Sequence, residues 1–268
     1  MSVTTVSIAG KTALITGASG GIGLELARIF AQNRCNLVVL ARNRHSLKDV
    51  GDELQRQYGI NVFVLPKDLA HPKAPGEAFA DLQEAGVRID FLVNNAGFGG
   101  LGPVWQRPLE DDLDMIQVNV TALTHLTKLF IPQILERRGK IMNVASTAAF
   151  QPGPLMAVYY ASKAYVLSFS EVLAEELRDT GVTVTTLCPG PVPTGFQARA
   201  GGSSEFGSRQ AMVLSAAEVA AIGFDGFLRG KRIVIPGKLN WLGAQGTRLA
   251  PRSLTTRLVK KIQQQRKK

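Results

Sequence analysis

The sequence contains little cysteine and no long apolar segment. Cys35 and Cys188 are the two cysteines among 268 residues, too few for a disulfide framework, and neither has metal-ligand spacing. We therefore expect reduced thiols, a cytoplasmic location and no metal site. The N-terminus has no basic region followed by an apolar one, and the longest run without charge, 141–162, is interrupted by Pro152 and Pro154. We expect neither a signal peptide nor a membrane span.

Acidic residues are missing from the C-terminal part of the chain. The formal net charge is +10, yet the segment from Gly226 to the C-terminus holds twelve Lys or Arg residues and no Asp or Glu. The basic excess therefore belongs to a tail. Nucleic-acid binding by the main domain is not expected, because its basic and acidic residues nearly balance.

Seven short β-rich runs alternate with stretches of helical periodicity. The runs are TALIT, NLVVLA, NVFVL, DFLVNN, GKIMNVAS, VTVTTLC and RIVIP, and Ile22, Leu26 and Ile29 are an example of the helical spacing between them. This alternation predicts an α/β fold, a doubly wound parallel seven-stranded sheet with helices on both faces. We expect a single domain over residues 1–236, followed by a basic and partly helical extension over 237–268.

A glycine-rich segment, TGASGGIG, follows the first run and leads into a helix. Gly17, Gly21 and Gly23 allow a tight turn and the close approach of a pyrophosphate, whose charge the helix N-terminus would meet. Taken alone, this spacing is also compatible with a simple tight turn between a strand and a helix.

The segment ARNRHS after the second run bears on the choice of cofactor. Ala41 stands where many dinucleotide sites place an Asp or Glu for the ribose diol, and Arg42 and Arg44 follow it. An arginine suits a 2′-phosphate. The missing acid favours NADP(H), although an exposed basic loop is the alternative reading of the two arginines.

Two adjacent tyrosines precede a lysine in the segment YYASK. On a helix, positions i and i+4 share a face, so Tyr159 and Lys163 would point the same way, whereas Tyr160 would be displaced around the axis. The helical geometry alone prefers Tyr159 only modestly.

Taken together, these motifs resemble the short-chain dehydrogenase/reductase family over residues 8–236. The resemblance rests on TGASGGIG, NNAG, the asparagine of IQVNVTAL, YYASK and PGPVPT. In that family a tyrosine is followed four residues later by lysine and preceded by serine at a distance of thirteen; Tyr159 satisfies both spacings and Tyr160 neither. The resemblance implies a Rossmann fold and a catalytic tetrad of Asn119, Ser146, Tyr159 and Lys163.

The resemblance also implies a role for each member of the tetrad. Hydride transfer to a carbonyl leaves an alkoxide, to which Tyr159 would supply the proton while Ser146 holds the oxygen. A free tyrosine has a pKa of about 10, and a nearby ammonium such as that of Lys163 favours the phenolate. Lys163 would also hold the nicotinamide ribose, and Asn119 would hold a water that relays protons to it.

Further site residues follow from the same resemblance. Asp68 would face the adenine, and Thr194 would meet the carboxamide and phosphates. The residues expected to contact the cofactor are Gly17, Ser19, Gly21, Ile22, Gly23, Ala41, Arg42, Asp68, Leu69, Asn94, Ala96, Gly97, Tyr159, Lys163, Pro189, Gly190, Val192 and Thr194. The residues expected to contact the substrate are Ser146, Phe98, Phe150, Met156 and Phe196.

Two segments near the C-terminus remain. The Gly- and Ser-rich segment 198–209 lies where the family carries a substrate-covering loop, and we expect a lid that orders on binding. In the tail, Leu254, Leu258, Val259 and Ile262 predict one apolar helix face, which would pack on its own or a neighbouring subunit; a membrane-surface helix is the less favoured alternative. In both cases we expect the tail to act apart from the chemistry.

The expected function is hydride transfer between NADP(H) and a ketone or aldehyde, or the corresponding alcohol, on a mostly apolar small molecule. One alternative is an NAD-dependent alcohol dehydrogenase of the same fold. Another is a non-catalytic cofactor-binding regulator, although such a protein would be expected to lose the tyrosine or the lysine. The resemblance implies a homodimer or homotetramer formed through the helices that contain Asn119 and Tyr159.

Overall fold

The computed structural model describes residues 7–201 and 207–265, and within these ranges seven parallel strands form one sheet in the order β3-β2-β1-β4-β5-β6-β7. This confirms the predicted doubly wound α/β fold. The strands are β1 (Thr12–Thr16), β2 (Asn36–Ala41), β3 (Val62–Pro66), β4 (Phe91–Asn94), β5 (Lys140–Val144), β6 (Thr183–Leu187) and β7 (Ile233–Val234).

Helices cover both faces of the sheet, so the strands are apolar on both sides. One face carries α1, α2 and α8, and the other carries α3 to α6. The helices are α1 (Gly21–Gln32), α2 (Arg44–Tyr58), α3 (Ala74–Glu84), α4 (Leu109–Ile116), α5 (Leu123–Glu136), α6 (Ala157–Glu176), α7 (Phe196–Arg199), α8 (Ala216–Leu228), α9 (Lys238–Leu249) and α10 (Arg252–Gln265).

The first face is organised around a cluster of phenylalanine rings. The ring of Phe30 in α1 lies 5.0 Å from that of Phe224 and 5.5 Å from that of Phe227, both in α8. By length and composition alone, the stretch Gln210–Leu228 is apolar enough to cross a membrane. Within it, however, Phe224 and Phe227 are buried in this core.

The amino edge of the sheet is fixed by a buried carboxylate. Asp90, 1% exposed, accepts hydrogen bonds from the backbone N–H of Thr12 at 2.9 Å and from Nε of Arg137 at 2.7 Å, and Lys11 lies 3.4 Å away. These contacts tie β1, the start of β4 and the end of α5 together. The opposite, carboxyl edge is where ligands bind in sheets of this kind.

The C-terminal extension packs on the domain. In α9, the side-chain amide of Asn240 donates to the carbonyl oxygens of Pro236 and Met212 at 2.8 and 3.0 Å. Near the end of the same helix, Oγ1 of Thr247 donates to the carbonyl of Phe150 at 3.1 Å. These bonds place α9, and α10 after it, at the carboxyl edge of the sheet.

Candidate active site

A cavity of about 1030 Å³ opens at the carboxyl edge of the sheet. One part is formed by the glycine-rich turn and the ends of β1, β2 and β4, and another by the end of β5 and the start of α6. The third part comes from α7, α9 and α10. The predicted site residues that line the cavity are Gly17, Ser19, Gly21, Ile22, Ala41, Arg42, Asp68, Leu69, Ala96, Gly97, Phe98, Ser146, Met156, Tyr159, Lys163, Pro189, Gly190, Val192, Thr194 and Phe196.

The glycine-rich turn leaves the N-terminus of α1 open towards the cavity. Gly17 and Gly21 have left-handed backbone conformations, with φ of +68° and +55°. Gly20 caps the helix without any side-chain hydrogen bond. The free backbone N–H groups of the first turn therefore face a region where a diphosphate would be bound. The turn fits a dinucleotide, because these N–H groups carry no side-chain cap and nothing lies within 4 Å of where a Cβ atom of Gly20 would stand.

Gly23 has a different role from the one predicted. It does not line the cavity; a Cβ atom there would lie 2.3 Å from the carbonyl oxygen of Gly17 and 2.4 Å from Nδ2 of Asn95. Its missing side chain lets α1 pack on the turn rather than letting a ligand approach.

Asn95 is a residue that sequence reasoning missed. Its Nδ2 donates to the carbonyl oxygens of Thr16 and Gly17 at 2.9 and 3.3 Å, and its backbone N–H donates to Oγ1 of Thr16 at 3.0 Å. The side chain fastens the glycine-rich turn to the end of β4, and it lines the cavity.

Asn94, predicted to contact the cofactor, and Phe150, predicted to contact the substrate, do not line the cavity. The buried amide of Asn94 donates to Oγ1 of Thr127 at 3.1 Å and to Oδ1 of Asn143 at 2.9 Å, so it links β4 to α5 and β5. Phe150 packs instead against a separate apolar cluster that includes Val166.

Two guanidinium groups converge on the adenosine end of the cavity. Arg42, half exposed, lies 4.0 Å from the carboxylate of Asp68. Arg199, from α7, lies 3.9 Å from the centre of the Phe98 ring. Burial lowers the pKa of Arg199, and the positive charge of Arg42 lowers it further. This end of the cavity is therefore positive, and Arg199 was not foreseen.

Lys163 is buried at the centre of the cavity. Its Nζ donates to the carbonyl oxygen of Val144 at 2.8 Å and lies 6.0 Å from the ring centre of Tyr159. Burial lowers the pKa of its ammonium to about 8. A Cβ atom at Gly97 would lie 3.2 Å from this Nζ, so the lysine and the NNAG backbone are in close proximity.

Asn119 lies behind the cavity wall, in a π-helical turn (Gln117–Ala122) between α4 and α5. Its Nδ2 donates to the carbonyl of Phe98 at 2.9 Å and to Oγ of Ser162 at 3.0 Å, while its Oδ1 accepts from the N–H of Phe98 at 3.1 Å. It thus joins the segment after β4 to α6. Its water-holding role stays a prediction.

Ser146 follows the end of β5 by two residues and caps a short 3₁₀ turn. Its Oγ accepts from the N–H of Ala148 at 3.1 Å and lies 3.4 Å from the carbonyl oxygen of Pro189, to which it donates. The hydroxyl is held between two backbone segments and lines the same cavity as Tyr159 and Lys163.

The two adjacent tyrosines have different surroundings. Tyr159 is partly exposed, and its ring lies 5.2 Å from that of Phe196. Tyr160 is 7% exposed, and its hydroxyl accepts a hydrogen bond of 2.8 Å from Nε2 of Gln263 in α10. The structure thus places Tyr159 nearer to the lysine face of α6 and engages Tyr160 with the tail.

The inward face of α10 matches the predicted apolar face only in part. Val259 is 4% exposed and Ile262 lines the cavity, whereas Leu254 and Leu258 are 59% and 58% exposed. Gln263, which the apolar pattern did not select, is 1% exposed and donates to the hydroxyl of Tyr160, the neighbour of Tyr159. The expectation that the tail acts apart from the chemistry stays a prediction. Contact of the exposed side with a membrane stays a prediction.

The predicted lid falls largely outside the described residues. Of segment 198–209, the structure describes the end of α7 and the residues up to 201, and it describes the backbone again from 207. The lid hypothesis therefore stays a prediction.

Comparison with known proteins identifies the family. The model of the family described as short chain dehydrogenase matches residues 11–203. The NADP-dependent 3-hydroxy acid dehydrogenase YdfG of Salmonella typhi is 38% identical over 181 residues, which are 67% of this chain and 71% of that protein. Across four curated relatives, the matched segment covers 60% to 77% of the relative's length.

Solved structures show the same relationship. A short-chain dehydrogenase from Sphingobium yanoikuyae, in complex with NADPH, is 32% identical with a TM-score of 0.79, covering 89% of this chain and 94% of that one. A short chain dehydrogenase/reductase from Burkholderia phymatum, in complex with NAD, is 26% identical with a TM-score of 0.79, covering 89% and 93%.

The chain belongs to the short-chain dehydrogenase/reductase family. It is an oxidoreductase that uses a nicotinamide dinucleotide cofactor and acts on a small molecule.

Proposed function

We propose that the protein is an NADP(H)-dependent reductase that converts a ketone or aldehyde on a mostly apolar molecule to the alcohol. The observation that carries the proposal is the shared cavity, which joins an arginine-bearing, acid-free end of β2 to Ser146, Tyr159 and Lys163.

Preference for NADP(H) is supported by the residues after β2. Ala41 is small and brings no carboxylate towards the ribose, and Arg42 lines the cavity with a half-exposed guanidinium. Arg199 adds a second cation at the same end. A 2′-phosphate would receive charge-assisted hydrogen bonds here, whereas a ribose diol would find no acidic acceptor at position 41.

Carbonyl reduction is supported by the reacting end. A bound dihydronicotinamide supplies the hydride that goes to the carbonyl carbon. Tyr159 donates its phenolic proton to the carbonyl oxygen, and Ser146 donates a hydrogen bond to the same oxygen. Lys163, largely protonated at pH 7 with a pKa of about 8, places a positive charge beside the phenol and favours its ionised form.

The uncharged lining beyond Tyr159 supports an apolar substrate. Met156 and Phe196 line this part of the cavity, and Leu258 and Val259 extend it, whereas Phe98 lies under the guanidinium of Arg199. The competing reading as a cofactor-binding regulator is not supported, because the residues of the reaction are retained and the family is one of enzymes.

A panel of carbonyl compounds tests the proposal. Loss of NADPH absorbance should accompany reduction of ketones or aldehydes with apolar substituents, and NADH should serve at least about tenfold less well in kcat/KM. Turnover that occurs only with NADH would instead support the alternative, an NAD-dependent alcohol dehydrogenase.

We also infer that the protein works in the cytoplasm as a homodimer or homotetramer. Exposed apolar side chains on α4 and α6, namely Leu113, Ile116 and Val172, support an interface on these helices. Light scattering of the purified protein tests this, and a monomer at micromolar concentration would contradict it.

A further inference from the structure

The C-terminal helices form a wall of the catalytic cavity. The residues of α9 that line it are small, including Gly243, Ala244 and Thr247, and those of α10 include Val259 and Ile262. All of them lie beyond residue 203, where the match to the family model ends. The part of the substrate that these helices contact would therefore be recognised by residues outside the region that the family model matches.

The last helix is fixed next to the reacting end by apolar packing. Val259, 4% exposed, belongs to a buried cluster with Ala148, Met156 and Tyr160. Ala148 follows the catalytic serine by two residues, and Met156 and Tyr160 flank the start of α6. Any change in the position of α10 would alter the space directly beside Tyr159.

A buried polar pair sets the position of α10 along its axis. Nε2 of Gln263, which is 1% exposed, donates to the hydroxyl of Tyr160 at 2.8 Å. Loss of either partner would leave a polar group buried without this hydrogen bond, which is costly in a low-dielectric interior. Geometry and burial thus make this contact specific rather than incidental.

The charged residues that line the cavity lie apart from the wall formed by α9 and α10. Among the described residues, the charged ones that line the cavity are Arg42, Lys67, Asp68, Lys163 and Arg199, and none of these belongs to α9 or α10. The described residues of the two helices that form the wall are uncharged, although the exposed side of the tail is strongly basic. A charged or highly polar substrate body would lose its hydration there without gaining a partner.

We propose that α10 is a specificity-determining element that selects carbonyl compounds with a bulky, uncharged, apolar body. Val259 and Ile262 contact that body. The hydrogen-bonded pair Tyr160–Gln263 holds α10 in the position that leaves room for the body beside Tyr159. This inference rests on the proposed function and names its substrate class. The volume of about 1030 Å³ lies at the upper end of the roughly 300–1,000 Å³ range of ligand pockets, consistent with a cofactor and a second molecule together.

Ketones of two sizes test the proposal. The probes are cyclohexanone and its fused bicyclic analogue 2-decalone, both reduced with NADPH. In Val259→Trp the added indole occupies the wall, so kcat/KM for 2-decalone should fall at least about tenfold while that for cyclohexanone changes less than about threefold. Ile262→Trp provides a second variant at a less buried position, in case Val259→Trp does not fold.

The matched control lies near the start of the same helix, outside the cavity lining. Leu254 is 59% exposed and does not line the cavity, so Leu254→Trp should leave kcat/KM for both ketones within about twofold of wild type. Equal losses for both ketones in the Val259 and Ile262 variants, or no loss for either, would overturn the inference.

The hydrogen bond between Tyr160 and Gln263 is tested separately. Gln263→Leu and Tyr160→Phe should each lower kcat/KM for 2-decalone more than for cyclohexanone, and the double variant should lose less than the product of the two single losses. Strictly multiplicative losses would show that the hydrogen bond does not position α10.

Binding separates failure of this inference from failure of the proposed function. Calorimetric titration of 2-decalone into the protein with NADP⁺ should show binding that Val259→Trp or Ile262→Trp weakens at least about tenfold. Wild type that binds 2-decalone without reducing it would contradict the proposed function alone. Wild type that neither binds nor reduces 2-decalone, yet reduces cyclohexanone, would overturn the inference alone.

Discussion

We expect the adjacent tyrosines 159 and 160 to differ in function because their partners differ. Tyr159→Phe removes the proposed proton donor, so kcat/KM for cyclohexanone should fall by roughly 10²–10⁴-fold while the dissociation constant of NADPH stays nearly unchanged. Tyr160→Phe removes a hydroxyl that contacts Gln263, and its loss should be less than about tenfold. Steady-state kinetics and NADPH titration measure both. Similar losses in two folded variants would show that the proton donor is assigned wrongly.

Lys163 predicts a pH dependence of stability. Burial lowers the pKa of Lys163 to about 8 in the folded protein, against about 10.4 in an unfolded chain. Between these values the unfolded chain binds more protons, so the unfolding free energy rises with pH across this window. Lys163→Met lacks the titration, and wild type should gain on the order of 3 kcal/mol relative to it from pH 8 to 10.4.

Urea unfolding of both cofactor-free proteins at several pH values measures this difference. A difference that stays constant with pH would mean that the ammonium is not buried in the folded protein.

We also expect the choice of cofactor to depend on two residues, Ala41 and Arg42. Charge-assisted hydrogen bonds from Arg42 to a 2′-phosphate are each worth roughly 1.5–3 kcal/mol, so NADPH should be preferred at least about tenfold in kcat/KM. The double variant Ala41→Asp, Arg42→Ala should reverse the order, because a carboxylate repels the phosphate and accepts from a ribose diol. Measuring kcat/KM for both cofactors with both proteins tests this. A cofactor preference that is the same in the double variant as in wild type would contradict the assignment of Arg42 to the 2′-phosphate.

Among individual residues, the sequence predicted those whose spacing is diagnostic of the family. It missed residues whose role depends on the direction in which the side chain points. Asn94 and Asn95 are adjacent, and successive residues at a strand end face opposite sides. Asn94 faces the buried helix layer, whereas Asn95 faces the turn and the cavity. Arg199 could not be predicted as a site residue, because the ring that it contacts in space, Phe98, is distant in sequence.

Among the elements, the turn before α1 depends most on glycine. Gly17 has a left-handed backbone, and a Cβ atom there would lie 2.8 Å from Nδ2 of Asn95 and 3.0 Å from Cα of Ala96. Gly17→Ala should therefore cost roughly 1–3 kcal/mol of stability and weaken NADPH binding. The matched control is Gly76→Ala in α3, where a Cβ atom meets nothing within 4 Å and helix propensity should stabilise by about 0.5–1 kcal/mol.

Urea denaturation and NADPH titration of the two variants provide the comparison. NADPH affinity in Gly17→Ala equal to that of wild type would contradict the role given to this turn.

Helix α10 shows why apolar periodicity predicted the helix but only part of its buried face. The pattern selected Val259, which is buried, together with Leu254 and Leu258, which are mostly exposed, because periodicity ranks side chains by polarity. Gln263 is buried because Tyr160 offers its amide a partner, and a partner from another element is invisible in one segment's pattern. Buried polar groups of this kind are decided by tertiary contacts.

At the scale of the whole molecule, the edges of the sheet formed by the amino and carboxyl ends of the strands have different roles. The amino edge is tied by the carboxylate of Asp90 with Arg137, whereas the carboxyl edge holds the cofactor turn, the reacting residues and the wall of α9 and α10. The alternation of strands and helices sufficed to predict the sheet. The position of the extension was not predictable, because nothing in its composition states where it packs.

The most direct test of the account follows the hydride itself. Wild type and Tyr159→Phe would be incubated with a ketone and NADPH deuterated at the transferable C4 position, and the alcohol would be analysed by mass spectrometry. We predict that wild type forms alcohol carrying one deuterium at the carbinol carbon and that Tyr159→Phe forms it at least about a hundredfold more slowly. Alcohol without deuterium, or labelled alcohol formed equally fast by Tyr159→Phe, would contradict the account.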